Sequence, residues 1–277
     1  TDLGWVPIVE AWLLKRSPEQ QKIIRDLFLK HVGYATATDP GHMADFLARN
    51  CREVLDQSMS GKIAAILNLL EWLLANSDLS TPSNEEDTEF LQQEIERIFV
   101  YALCWTIGGL LEPEDRFKFD AFVRKSVAAS QLPDEEEKNT LFEYFVDGTT
   151  LQWEKWRPPV WEYPDSEVLD FSNLLVPTMD STRALFLLRC MKELHKPVMM
   201  VGSSGTAKTS SALMFTSELD EEWLLKRVNF SSATTMGMLQ TAVESELDKR
   251  GGKRYGPPSG KRMMVFVDDI NMPEVNE

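Results

Sequence analysis

The residues best suited to chemistry lie in one small-residue run, Gly202-Ser203-Ser204-Gly205-Thr206-Ala207-Lys208-Thr209. It follows the apolar segment 197–201, which predicts a buried strand, and opens a predicted helix ending near Leu219. This context predicts a P-loop, because backbone N–H groups can converge on phosphate oxygens at the helix N-terminus. We expect Lys208 to reach the β- and γ-phosphates and the Thr209 hydroxyl to coordinate Mg²⁺, with Ser210 among the nucleotide-binding residues.

A second group of reactive residues ends the apolar run Met263 to Val267, which predicts another strand. Two carboxylates, Asp268 and Asp269, follow it directly. A parallel neighbouring strand would bring Asp268 towards Thr209 and the metal. Considered alone, the two carboxylates could be no more than a polar strand end. Together with the P-loop they predict a nucleotide site in which Lys208, Asp268 and Asp269 are catalytic.

Two positions depart from the usual pattern of such sites. The residue before the lysine is Ala207 rather than glycine, and if this position needs a positive φ the methyl group costs on the order of 1 kcal/mol. Asp269 stands where many hydrolysing enzymes of this class carry Glu, and its side chain is one methylene shorter. We therefore expect slow hydrolysis that suits regulation. A non-hydrolysing structural module and a P-loop kinase or transferase are the alternatives.

The elements that must position these residues change in character along the chain. Residues 1–150 predict helices without a convincing strand, and Ser17 with Pro18 and Gln20 predicts a capped helix start that Gly33 would end. Beyond them, strands alternate with helices, which predicts a mainly parallel sheet covered on both faces. The predicted helices cover 18–33, 43–55, 63–74, 90–111, 117–127, 141–146, 180–194, 208–219 and 236–249, the strands cover 197–201, 227–230 and 263–267, and 251–260 is a turn region.

A proline-stiffened connector separates the two halves. Trp153, Trp156 and Trp161 surround Arg157-Pro158-Pro159, and indole rings commonly fill domain junctions, although an aromatic ligand cage is the alternative. We place the boundary at residues 155/156. The predicted domains are an all-α part over residues 1–155 and an α/β P-loop core with a parallel sheet over residues 156–277.

The composition narrows the possible partners. The formal net charge is −15, which disfavours nucleic acid and anionic membranes as direct partners. The longest apolar run, Ile98 to Leu111, is shorter than the roughly 20 residues of a spanning helix. Cys51, Cys104 and Cys190 lack metal-type spacing and predict reduced thiols in helical cores. Because the chain starts at Thr1 and stops at Glu277, we expect a fragment.

Several segments together resemble the third AAA+ module of a dynein heavy chain, preceded by the end and helical lid of the second module. The segments that carry the resemblance are Val176-Pro177-Thr178 with Asp180 and Arg183, Gly202 to Thr209, Asn229-Phe230-Ser231, Val267-Asp268-Asp269-Ile270-Asn271-Met272-Pro273, and, for the lid, Leu3-Gly4-Trp5, Glu71-Trp72, Tyr101 to Gly109 and Phe117 to Arg124. Tyr255 to Lys261 and Asn276-Glu277 favour the axonemal outer-arm type.

The resemblance implies a cofactor, partners and a location. It implies ATP or ADP with Mg²⁺, with Val176, Pro177 and Thr178 against the adenine base. It also implies neighbouring AAA+ modules of the same heavy chain, intermediate and light chains as partners, and a microtubule contact made only through a distant stalk. The implied setting is the cytoplasm and cytoskeleton, in the axoneme of a cilium or flagellum. Sensor residues and an arginine finger would lie outside the fragment.

Overall fold

The computed structural model describes residues 4–33, 42–134, 139–162 and 175–273. The chain divides into two compact units. The first unit comprises Thr1–Val160 and Phe186–Gly202, and the second comprises Trp161–Leu185 and Ser203–Glu277.

Helices form most of the first unit. Ser17 begins the second of them as predicted, since its hydroxyl accepts a hydrogen bond from the Gln20 N–H at 3.3 Å, and Gly33 follows its end with φ +86°. The helices are α1 (Val6–Leu13), α2 (Pro18–His31), α3 (His42–Asn50), α4 (Met59–Ala75), α5 (Glu85–Thr106) and α6 (Pro113–Ser126), and 3₁₀ turns cover Gly108–Leu110, Ala129–Gln131 and Leu141–Glu143.

Helix α5 is the centre of this unit. Its side chains from Glu94 to Cys104 are all buried, and Phe99 meets Phe28 edge-on at 5.0 Å between ring centroids. Phe28 in turn stacks on Trp5 at 5.2 Å. The long apolar run is therefore a core helix, as predicted. None of the described helices combines the length and apolar character needed to cross a membrane.

Two predictions for this unit are wrong. Helix α3 ends at Asn50 rather than near Leu55, because the following backbone pairs elsewhere: the Val54 N–H bonds to the Leu110 carbonyl at 2.8 Å. The predicted helix over 141–146 is a 3₁₀ turn followed by strand β1 (Tyr144–Val146), so the part over residues 1–155 is mainly helical but not all-α as predicted.

Strand β1 pairs antiparallel with β2 (Trp153–Lys155). Tyr144 and Val146 are buried while Phe145 between them is half-buried, which is the two-residue period of a strand. Phe145 packs on Trp156 at 4.5 Å between ring centroids, and the Trp153 indole N–H donates to the Gln131 carbonyl at 2.8 Å. Both tryptophans therefore pack against residues of the first unit.

The second unit contains the parallel pair that the sequence predicts. Strand β3 (Trp223–Asn229) runs parallel to β6 (Arg262–Asp268), with Trp223 opposite Arg262 and Asn229 opposite Asp268. The other elements are α7 (Met179–Glu193), whose second half belongs to the first unit, α8 (Lys208–Ser217), α9 (Met236–Glu244), β4 (Asp248–Gly251) and β5 (Arg254–Gly256).

The structure departs from prediction at two places in the second half of the chain. Segment 197–201 is not a strand, because no strand of the described residues pairs with it, and Val198, Met199 and Val201 are exposed. Helix α9 ends at Glu244 rather than near 249, because the chain from Asp248 forms strand β4, which pairs antiparallel with β5 inside the expected turn region.

The three cysteines are free thiols. Cys104 and Cys190 are buried within helices as predicted, whereas Cys51 is half-buried and lies beyond the end of α3. Burial raises the pKa of Cys190 to about 12, so this thiol stays protonated and unreactive. No group of His, Cys, Asp or Glu suited to a metal ion occurs among the residues described here.

Candidate nucleotide-binding site

The P-loop turns directly into helix α8. Gly205 has φ +79°, and Ala207 caps the helix in the left-handed conformation with φ 58° and ψ 23°. The Ala207 carbonyl accepts the Ser211 N–H at 2.9 Å, which closes the first helical turn. The residue before the lysine thus has the positive φ that favours glycine. The methyl group of Ala207 destabilises this backbone conformation by about 1 kcal/mol.

Lys208 folds back over the loop that precedes it. Its Nζ donates to the Ser203 carbonyl at 2.7 Å and to the Thr206 hydroxyl at 3.3 Å. Thr206 is itself tied to the Ser203 carbonyl at 2.9 Å. The ammonium therefore lies against the loop, where phosphate oxygens can accept its hydrogen bonds in place of these protein oxygens.

The loop and the end of the acidic strand meet through one contact. Thr209 Oγ1 donates to Asp268 Oδ1 at 3.1 Å, although 59 positions separate the two residues. Asp268 is held at the end of β6, because the Asp268 carbonyl accepts the Phe230 N–H at 3.0 Å just beyond the end of β3. The hydroxyl and the carboxylate that we expected to share a metal are therefore neighbours.

Asp269 leaves the strand in a different backbone conformation from Asp268. Its φ is +54°, and its carbonyl accepts the Met272 N–H at 2.9 Å, which makes a tight turn. A positive φ is uncommon outside glycine, although Asp tolerates it better than most residues. The direction of the second carboxylate is consequently set by this turn as well as by the strand.

One charged neighbour of the site was not predicted from the sequence. The Arg227 guanidinium lies 3.2 Å from Asp268 Oδ2, and its Nε donates to Asn229 Oδ1 at 3.0 Å. The parallel register places Asn229 opposite Asp268, so an arginine two positions earlier falls on the same face of the sheet. The register between β3 and β6 would have revealed it, because Arg227 already belongs to the predicted strand 227–230 and only its position relative to Asp268 was unknown.

The segment expected against the adenine base lies at the start of α7. Thr178 Oγ1 accepts the Ser181 N–H at 3.2 Å, and the Ser181 hydroxyl accepts the Thr178 N–H at 2.8 Å. This reciprocal capping orders the end of the segment. Val176 is half-exposed and can offer an apolar surface to a flat ring.

Comparison with known families finds two matches that together cover most of the chain. Residues 26–158 match a family described as the dynein heavy chain AAA lid domain. Residues 163–277 match a family described as the P-loop containing dynein motor region. The prediction of an α/β P-loop core of AAA+ type preceded by a helical lid is confirmed, and the P-loop family makes this a nucleotide-binding module.

Long relatives match over almost the whole of this chain. The dynein gamma chain of the flagellar outer arm of Chlamydomonas reinhardtii is 36% identical over 280 residues, covering 100% of this chain. Human dynein axonemal heavy chain 8 is 36% identical over 99% of the chain, and human dynein axonemal heavy chain 2 is 31% identical over 98%. The chain spans 6% of the length of each of these relatives.

Proposed function

Because the chain belongs to the dynein heavy chain family, we propose that its P-loop binds ATP or ADP with Mg²⁺ and hydrolyses ATP slowly. Lys208 holds the terminal phosphates, Thr209 and Asp268 ligate the metal, and Asp269 orients the attacking water. The observation that carries this proposal is the 3.1 Å contact between Thr209 Oγ1 and Asp268 Oδ1, because a metal held between loop and strand end requires these two oxygens to be neighbours.

The donor set fits Mg²⁺. Hydroxyl and carboxylate oxygens are the hard donors that this ion prefers, and it commonly takes one or two protein oxygens together with phosphates and waters. Thr209 and Asp268 provide two such oxygens on elements that the β3–β6 pair and α8 hold in place. When bound, the ion neutralises charge on the phosphate oxygens.

The rest of the loop contributes backbone N–H groups and the segment before α7 contributes apolar surface. Asp180 pairs with Arg183 at 3.0 Å in the first turn of α7, directly after the segment proposed to bind the adenine base. The residues proposed to contact nucleotide are Gly202, Ser203, Ser204, Gly205, Thr206, Ala207, Lys208, Thr209 and Ser210 for the phosphates and Val176, Pro177 and Thr178 for the base.

The wider role follows from the relatives. We assign the chain to the motor ring of an axonemal dynein, with a lid subdomain up to about residue 155 and the AAA+ large subdomain after it. Its site would regulate minus-end-directed movement on microtubules in the cytoskeleton of a cilium or flagellum. Its partners would be neighbouring AAA+ modules and, in the full complex, intermediate and light chains, with the microtubule bound by a distant stalk.

A non-hydrolysing structural module is the second candidate. Two observations favour it: the methyl group of Ala207 occupies a left-handed position, and Asp269 turns away from the strand direction with φ +54°. Both features act on the chemistry more than on binding, since the backbone N–H of Ala207 and the metal ligands remain.

The two candidates are separated by measuring binding and turnover in the intact heavy chain that contains these residues. Lys208→Ala should weaken binding of a fluorescent ATP analogue at least about tenfold, because charge-assisted hydrogen bonds to phosphate are lost. Lys226→Ala is the matched control, since Lys226 pairs with Glu246 at 2.7 Å and takes no part in the loop. Single-turnover hydrolysis that Lys208→Ala abolishes supports the ATPase, whereas Lys208-dependent binding without turnover favours the structural module. Binding that is insensitive to Lys208→Ala would refute both.

A further inference from the structure

The carboxylate of Asp268 has two different neighbours. Oδ1 accepts the Thr209 hydroxyl at 3.1 Å, and Oδ2 lies 3.2 Å from the Arg227 guanidinium. The Asp268 side chain is 16% exposed and that of Arg227 is 39% exposed. One oxygen thus faces the loop while the other faces a cation that solvent can partly reach.

Three contacts fix the guanidinium in this place. Arg227 Nε donates to Asn229 Oδ1 at 3.0 Å, and its Cζ lies over the Phe266 ring, 5.6 Å from the centroid. Phe266 is directly opposite Arg227 in the β3–β6 register. The third contact is the ion pair with Asp268, so a planar, permanently charged group is held by sheet, amide and ring together.

We propose that Arg227 sets the Mg²⁺ requirement of the nucleotide site. This inference rests on the proposed function. The guanidinium occupies Oδ2, which leaves Oδ1 as the oxygen of Asp268 that would be offered to the metal beside Thr209, and its positive charge lies 3.2 Å from the carboxylate that would hold the metal. Two like charges that share one carboxylate repel each other, and the partial exposure of Arg227 weakens the effect without removing it.

The same contact also orients the metal ligand. A carboxylate rotates about its last side-chain bond unless a partner holds it, and the bond to Arg227 holds Oδ2 so that Oδ1 stays turned towards Thr209. Arg227 is therefore a positioning residue, and it acts through Asp268 rather than on the nucleotide. The site gains a preset ligand geometry but needs a higher Mg²⁺ concentration for half-saturation than the same site without the arginine.

The test is a Mg²⁺ titration of fluorescent ADP binding in the intact heavy chain. Signal that remains in Lys208→Ala arises elsewhere in the chain and is subtracted. Arg227→Met removes the charge and keeps an unbranched side chain that can lie on Phe266, and Arg227→Lys keeps the charge. We expect Arg227→Met to lower the half-saturating Mg²⁺ concentration about threefold, as for loss of one partly exposed charge interaction, and Arg227→Lys to stay close to the parent protein.

Two outcomes overturn the inference. A purely structural role would weaken ADP binding at saturating Mg²⁺ in Arg227→Met and leave the midpoint of the titration unchanged. An equal shift of the midpoint in Arg227→Lys and Arg227→Met would show that the positive charge is not what matters. Absence of any Lys208-dependent binding in the parent protein is a different result, because it refutes the proposed function and the inference falls with it.

Discussion

Helix α5 of the first unit and the β3–β6 pair of the second unit use their side chains in opposite ways. The side chains of α5 from Glu94 to Cys104 are buried without interruption, whereas no residue of β3 or β6 is fully buried. In the described part of the second unit, the buried apolar side chains are Leu185, Ala212 and Phe215. The buried side chains of α5 stabilise the first unit, whereas the partly exposed β3–β6 pair leaves polar groups able to exchange hydrogen-bond partners.

The charged groups of the two units show the same difference. In the first unit, Glu96 accepts from Lys30 at 2.5 Å and lies 3.4 Å from His31, which is 1% exposed. In the second unit, Asp268 and Arg227 remain partly accessible. Substitutions in the first unit should therefore appear as changes in unfolding, and substitutions in the second as changes in binding and turnover.

The largest expected effect is on the core. Phe99→Ala should destabilise the first unit by about 3–5 kcal/mol, because a fully buried ring that packs on Phe28 is replaced by a cavity. Native-state hydrogen exchange of the α5 amides measures it. Phe90→Ala on the same helix is the control, since Phe90 is 49% exposed and should cost less than about 1 kcal/mol. Equal losses in the two variants would contradict this account of the core.

The next effect concerns chemistry in the second unit. Asp269→Glu should raise single-turnover ATP hydrolysis about tenfold, because an added methylene brings the carboxylate closer to the attacking water. Quenched-flow measurement of product formation from labelled ATP provides the rate. Asp269→Asn, which cannot act as a base, should not exceed the parent rate. An unchanged or lower rate in Asp269→Glu would count against slow hydrolysis arising from the shorter side chain.

Local sequence patterns predicted several features of the fold and of the candidate site. The Ser17 cap, the buried α5 and the strand ending in Asp268 each follow from a few neighbouring residues, so the sequence alone predicts them. The approach of Thr209 to Asp268 was predicted as well, although β6 pairs with β3 and not with the strand expected over 197–201.

Features that depend on distant partners escaped prediction. Segment 197–201 has the composition of a strand, but strand formation needs a paired neighbour, and the described residues supply none. Leu141 to Val146 is a mostly apolar segment that suits a helix equally well, and the pairing of Tyr144–Val146 with Trp153–Lys155 decided the outcome. Arg227 was missed for the same reason, since its ion pair depends on the register between two strands.

A smaller effect is expected at the loop. Unlike the other substitutions in the second unit, Ala207→Gly should change stability: it relieves the left-handed strain of this residue and should raise the free energy of unfolding of the second unit by up to about 1 kcal/mol, part of the gain being offset by the greater freedom of glycine in the unfolded chain. Nucleotide binding should change little, because the strain is present without nucleotide. Ala212→Gly is the matched control, because Ala212 lies inside α8, where glycine costs about 1 kcal/mol. Hydrogen exchange of the α8 amides should therefore slow in Ala207→Gly and quicken in Ala212→Gly, and faster exchange in Ala207→Gly would show that the methyl group does not strain the loop.

The smallest effect is a pH dependence confined to the first unit. Burial lowers the pKa of His31 below its usual 6.5, although the hydrogen bond with Glu96 opposes this. Burial raises the pKa of Glu96, but hydrogen bonds with His31 and Lys30 outweigh it and leave the value below 4.5. Because the unfolded chain then binds protons more readily at both positions, the stability they contribute is complete above about pH 6.5 and is lost as the pH falls, first through His31 and then through Glu96.

Hydrogen exchange of α5 at pH 7 and pH 5 would measure this loss. His31→Gln should reduce the difference between the two pH values while lowering stability at both, since buried hydrogen bonds to Ser126 and Glu96 are altered. His195→Gln should leave the difference unchanged, because His195 is exposed and is not among the groups that shift the pKa of His31 or Glu96. Nucleotide binding by the second unit should not follow the same pH profile, because His31 and Glu96 belong to the first unit. If nucleotide binding and the protection of the α5 amides were lost over the same pH range, the two units would not respond independently, which would contradict this division of roles.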